Sequence, residues 1–230
     1  MKYELTNETV TVNGKTLYRV KALKDFNNVF KGDFGGFIES ENNLSQSGNA
    51  WVSGNAMVFD NARVYGNAWV FGDAMVYGDA WVFGDAMVYG DAGVYGDAKV
   101  FGDARVSQYQ KINNCICTCD LSQNLEESIR CQTGLGVFND KIVAYKIVDK
   151  NMCSFQDNNF KYELGKIAEE ENPDMSHESC ASGLHFSNMN YWDSKNGIFL
   201  QAEIDIKDVI TVQEGKIRCK KALITGAYER

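Results

Sequence analysis

Acid–base and nucleophilic chemistry needs histidine, cysteine or well-placed carboxylates, and this 230-residue chain supplies them sparsely. It has two histidines, His177 and His185, both in the C-terminal half. Two cannot provide the ligands of a metal centre built on three histidines. Seven cysteines include Cys115, Cys117 and Cys119 in a C-x-C-x-C run, with Cys131 beyond it. Such a run could grip a soft metal. The usual C-x2-C knuckle is absent, however, and unpaired cysteine is among the most buried residue types, so no metal site is expected. Aspartates recur at Asp73, Asp79, Asp85, Asp91, Asp97 and Asp103. As an anionic row they could imitate the phosphates of DNA. As turn residues they need no further role, and Asn49, Asn55, Asn61 and Asn67 fill the same slot uncharged, which favours the turn reading.

The elements that carry these residues follow from a six-residue period over residues 49–106. Its unit is Gly-Asp/Asn-Ala-x-Val followed by an aromatic residue or serine, with Asp60 in the glycine slot of one unit. Residues two apart on a strand share a face, so each Ala–Val pair points one way and x and the aromatic point the other. Gly-Asp or Gly-Asn supplies a corner, since both tolerate left-handed backbone angles. A short strand and a corner every six residues mark a parallel β-helix whose triangular coil takes about eighteen residues. Val52 to Val106 therefore spans a little over three coils. Ala and Val fit a narrow interior, whereas the large side chains would overfill it.

Stacked coils make columns. Trp51, Trp69, Met87 and Arg105 form one outward column, Met57, Met75 and Gly93 a second, and Arg63, Trp81 and Lys99 a third. Phe59/Tyr77/Tyr95, Tyr65/Phe83/Phe101 and Ser53/Phe71/Tyr89 stack likewise. An exposed aromatic patch of this kind marks an interface. The expected partner-binding residues are Trp51, Trp69, Trp81, Phe71, Tyr77, Phe83, Tyr89 and Tyr95. The expected occupants are copies of the same chain, as a dimer or trimer, and a second protein. A nucleotide held by base stacking is the alternative, provided that Arg63, Lys99 and Arg105 gather near one groove.

A net charge of −8 argues against binding to a nucleic-acid backbone or an anionic membrane surface. No run approaches the apolar length of a membrane helix. The first residues lack an apolar signal-type stretch, and the cysteine usage fits reduced thiols, so a cytoplasmic location is expected. No cofactor is expected.

After Val106 the period ends. Residues 120–134 read as a helix, with Asp120 as cap, Leu121, Leu125 and Ile129 as its stripe, and Gly134 as its stop. This helix is expected to close the open end of the coils or to link the halves. Beyond it, Asn139-Asp140 and Glu214-Gly215 mark turns between β-rich segments. A polar stretch over residues 160–180 holds Pro173, the one proline. The fold expected is mainly β: an N-terminal parallel β-helix of hexapeptide repeats followed by a smaller α+β domain. The boundaries are a cap and lead-in over residues 1–47, the β-helix over 48–107, a linker with a helix over 108–135, and the C-terminal domain over 136–230.

The repeat and its lead-in, GDFGGFIESENNLSQSGNAWV at residues 32–52, resemble left-handed β-helix-like hexapeptide-repeat proteins of phages and prophages. Residues 144–150, 162–166 and 180–186 resemble a phage domain of unknown function. Together these resemblances imply a phage-encoded, non-enzymatic interaction protein of the host cytoplasm that binds a host factor, with inhibition of a host defence system as one task. Hexapeptide acyltransferases use a histidine base, and this repeat has none. SGLHFS followed by FLQAEIDI resembles, distantly, the ADP-ribosyltransferase folds. That resemblance implies His185 in a nicotinamide cleft, Glu203 as the acid, and Tyr145-Lys146 on the first strand, where the family has an arginine or histidine. Lysine lacks the guanidinium fork, so the match departs from the family there.

Overall fold

The computed structural model describes residues 1–176, 181–192 and 197–229. The chain forms two compact units, Met1–Glu127 and Ser128–Arg230.

The first unit is a β-solenoid of about four turns. Each turn contributes one short strand to each of three parallel sheets, and equivalent residues pair across coils, as in Trp51↔Trp69 and Val52↔Val70. Every alanine and valine of the repeat is buried, Val82 and Ala80 among them. Backbone amides bond straight up the stack, Trp69 N to the Ala86 carbonyl at 2.9 Å and Phe83 N to the Val100 carbonyl at 3.0 Å. Glycine is required at the corners. Gly78 has φ +71°, and a Cβ there would lie 3.0 Å from the Gly96 amide of the next coil. Asp60 holds the same backbone shape at φ +59°. It is braced because its carboxylate accepts from the Gly78 amide at 3.1 Å and pairs with Lys15 at 2.7 Å.

The solenoid is longer than its repeat. Phe34–Ile38 pairs with Met57–Val58 ahead of the first valine unit. Lys111–Asn113 and Ile116–Cys117 add rungs after Val106. Cys117 takes the place of a valine: it is buried and pairs with Val100. This rung is one residue short of the regular spacing, which hides it from a strict periodic reading.

The stack is polar along its axis, and its two ends are covered by opposite chemistry. Amides point toward the later coils, so the first coil offers bare carbonyls. Donors meet them: Lys2 Nζ bonds the Ala50 carbonyl at 2.7 Å, Tyr3 Oη the Leu44 carbonyl at 2.6 Å, and Asn43 Nδ2 the Ala62 carbonyl at 2.9 Å. At the far end amides need acceptors. Asn114 Oδ1 takes the Asp97 amide and Gln110 Oε1 the Ser107 amide, each at 2.8 Å. Capped edges of this kind block end-to-end strand pairing. The hairpin of Tyr3–Val12 and Lys15–Ala22 continues one sheet through Phe34–Ile38.

The helix runs over Leu125–Thr133, shorter than expected. Asn124 is its cap, its side chain accepting the Glu127 amide at 2.9 Å. Asp120 is still bridged to Arg105 of the last coil and caps a turn instead. Gly134, at φ +72°, ends the helix as expected.

The second unit is β-rich with little helix. A five-stranded antiparallel sheet has the order Val137–Phe138, Lys141–Val148, Ile198–Asp205, Lys221–Glu229, Ile167–Glu169. A three-stranded sheet has the order Leu184–Phe186, Lys216–Cys219, Val209–Gln213. One core joins them, with Ile142, Ala144 and Leu200 from the larger sheet, Leu184 and Phe186 from the smaller, and Ile129 from the helix. Asn139 and Asp140 are both left-handed, as are Glu214 and Gly215, so both expected turns form. Among the described residues no helix is long and apolar enough to cross a membrane.

Candidate functional site

Two places concentrate functional side chains, one in each unit.

On the solenoid, the corner aromatics stack on one another at the coil spacing. Phe59–Tyr77 and Tyr77–Tyr95 lie 5.1 Å apart, Tyr65–Phe83 and Phe83–Phe101 4.8 Å, and Phe71–Tyr89 5.0 Å, all within 11° of parallel. Their ring faces are therefore turned to each other along the axis. Phe71, Tyr77, Phe83, Tyr89 and Tyr95 are half-buried and present edges to solvent. The aromatic in each unit is first an axial brace.

The three strand columns differ in cover. Trp51 was expected to face a partner, yet it is 2% exposed. Tyr3 and Phe26 meet it edge-on, at 6.4 and 5.4 Å, so the N-terminal segment of the same chain already occupies its surface. Trp69 below it is half-buried. The same hairpin covers Phe59, which packs with Leu17 and Phe37. The third column is open at every rung: Arg63, Trp81, Lys99 and Ile116 are all exposed. They line a groove of about 620 Å³ together with Asn61, Asp79, Asp97 and Asn114. Lys99 Nζ sits 5.3 Å from the Trp81 ring centroid and Tyr65 meets that ring edge-on. Arg63 and Lys99 thus gather at one groove. Arg105 belongs to a different sheet.

The corner aspartates form ladders whose upper members are asparagines. Asn61 Nδ2 donates to Asp79 at 2.9 Å, Asn55 to Asp73 at 3.1 Å, and Asn67 to Asp85 at 3.0 Å. An amide at the head of each ladder gives the first carboxylate a donor. Of the cysteine run, Cys117 is in the coil interior while Cys115 and Cys119 are half-buried. Among the described residues the cysteines form no disulfide.

In the second unit the even positions of Lys141–Val148 face the core: Ile142, Ala144 and Val148 are buried there. Lys146 occupies the same register and is 5% exposed. Its ammonium lies 5.9 Å from the Tyr162 ring and 5.5 Å from Trp192. Leu184 and Phe186 turn into the core, so His185 turns to the other side of its sheet, where it pairs in register with Arg218. Lys216 and Arg218 alternate with the core residues Ile217 and Cys219 and share that side. Burial holds His185 down to about 4, and Lys146, Lys216 and Arg218 add to the effect. Burial also pushes the Tyr162 hydroxyl and the Cys219 thiol up.

Lys146 and His185 line one recess of about 180 Å³. Glu203 does not join them. It pairs opposite Val143, on the other face of the sheet, and forms a salt bridge with Lys141. The groove that Glu203 lines contains neither His185 nor Lys146. Tyr145 alternates with Lys146 and is tied by its backbone to Ser187 and by its carbonyl to Trp192 Nε1 at 2.7 Å. The Tyr145–His185–Glu203 constellation is therefore not assembled in one cleft. His177 lies outside the described residues. Lys146 entered the sequence reading only as a departure from the family's arginine or histidine, although a lysine at the apolar parity of KIVAYKIV was a readable signal of burial.

Residues 50–66 match the YdcK beta solenoid repeat family model, which agrees with the stacked parallel coils. No curated protein matches the chain. Fold and repeat together define a β-solenoid repeat protein with a β-rich C-terminal unit.

Proposed function

We propose that the chain is a non-enzymatic interaction protein whose solenoid is a rigid assembly scaffold and pairs, as a dimer, with a second copy of itself. One observation carries this reading. On the open face, the cationic column of Arg63 and Lys99 runs beside the acidic ladder of Asp79 and Asp97, with Trp81 between the two cations. Adjacent columns of opposite sign are self-complementary. A two-fold axis along the solenoid would set Lys99 of each copy against Asp97 of the other. Trp81 would then be the buried aromatic anchor.

The C-terminal unit is the recognition module in this reading. A host protein as its target, a phage setting and interference with a defence system rest on the sequence resemblance. The nucleotide reading of the solenoid groove called for Arg105 beside Arg63 and Lys99, and Arg105 belongs to a different sheet.

Native mass tests the dimer. Wild type is expected at twice the mass of its chain, and Trp81→Asp at the single mass with unchanged melting. A wild type that stays monomeric at tens of micromolar overturns the reading.

A further inference from the structure

The second unit of an acidic chain buries an unusual amount of positive charge. Lys146, Lys216 and Arg218 are each at most 8% exposed, and all three act on His185. Lys216 has Glu214 at 3.7 Å, and Arg218 donates to the Ser176 carbonyl and lies near Asp174. Of these three cations, Lys146 is the one that lines two recesses of this unit, and a cation in the wall of a recess attracts anions.

Two recesses meet at Lys146. The first, of about 180 Å³, reaches His185 and is flanked by Asp157 and Glu170. The second, of about 310 Å³, is walled by Phe155, Tyr191 and Trp192. Lys146, Ser154 and Gln156 line both. The three parts ask for different chemistry. The Lys146 ammonium suits an anionic group with hydrogen-bond-accepting oxygens. The carboxylates of Asp157 and Glu170 suit hydroxyl or amino donors. The aromatic wall suits a flat ring, since every base has a face that stacks.

We infer that the paired recess at Lys146 is a binding site for a small ring-bearing anion of the nucleoside monophosphate class. The phosphate lies at Lys146, the sugar hydroxyls face Asp157 and Glu170, and the base lies on the Trp192 wall. Its lining residues all belong to the second unit.

Calorimetry on the full chain tests it with adenosine monophosphate, adenosine, inorganic phosphate and benzoate. The monophosphate is expected to bind at least tenfold tighter than adenosine or phosphate alone. Benzoate, a ring-bearing carboxylate, separates the two anion sources: binding weaker than the monophosphate supports phosphate. Equal or tighter binding of benzoate overturns the nucleotide class. Lys146→Met should weaken monophosphate binding at least tenfold. Gln156→Glu, at an exposed position that disturbs no core, should weaken it at least fivefold by placing a carboxylate beside both recesses. Adenosine bound as tightly as its monophosphate, or full affinity in a folded Gln156→Glu, overturns the inference.

Discussion

The two units solve burial in opposite ways. Inside the coils of the repeat the buried side chains are alanines and valines, Trp51 and Phe59 are buried from outside by the N-terminal segment, and the buried cation of this unit, Lys2, sits at the end of the stack. The second unit buries Lys146, His185, Thr211, Gln213, Lys216 and Arg218 alongside its apolar core. A repeat array gains stability from identical neighbours, so each coil supports the next. A small β-rich unit that buries cations spends stability, and such expense is characteristic of binding sites.

The harshest way to break this contrast is to put charge where the solenoid has none. Val82→Asp places a carboxylate in the middle of the stack, where Val82 is fully buried. It should cost about 4 kcal/mol and unzip coils on both sides, read as loss of the cooperative melting transition. Tyr77→Asp, at a half-buried corner, should leave the solenoid folded.

Acid separates the units next. The solenoid unit contains no histidine. In the second unit His185 is held down to about 4, against an unfolded value of about 6.5. Keeping it neutral therefore stabilises the fold fully above pH 6.5, and this stabilisation is lost as pH falls from about 6.5 to about 4. The loss should be roughly 3 kcal/mol by linkage. Denaturant melts monitored in the second unit should show it, and His185→Gln should flatten that window.

A smaller effect sharpens the view of the solenoid. Gly78→Ala introduces a Cβ at φ +71° and 3.0 Å from the next coil's amide. It should cost about 1–3 kcal/mol in thermal stability. The mildest test is the brace at Asp60. Its pairing with Lys15 and the Gly78 amide holds its carboxyl below the usual 3.8. The stabilisation is present above that value and disappears as pH falls through the lowered one. Asp60→Asn should remove this last acid-sensitive step in the solenoid while leaving the His185 window unchanged.

The repeat was legible because its period is a direct image of the coil: Ala–Val pairs, left-handed corners and stacked columns all follow from six-residue spacing. What lies outside the period was not legible. Phe34–Ile38 and Ile116–Cys117 join the solenoid through pairing partners far along the chain, and Cys117 hides in a valine slot. The cover on Trp51 needs Tyr3 and Phe26, whose approach no local pattern encodes. In the second unit, Glu203 and His185 looked like neighbours because motif order was used without strand parity. Parity itself separates Glu203 from Lys146 and places Lys146 among Ile142, Ala144 and Val148. The site was therefore half-written in the alternation, while the convergence of Lys146 with Tyr162, Trp192 and His185 depends on long-range packing.

Charge exchange on the open solenoid face tests the scaffold most directly. Sedimentation equilibrium would compare wild type, Lys99→Asp, and Lys99→Asp combined with Asp97→Lys. The account predicts a dimer for wild type, a monomer for the single change and a restored dimer for the exchanged pair. A dimer that survives Lys99→Asp, or a double variant that stays monomeric, would contradict the pairing of these two columns.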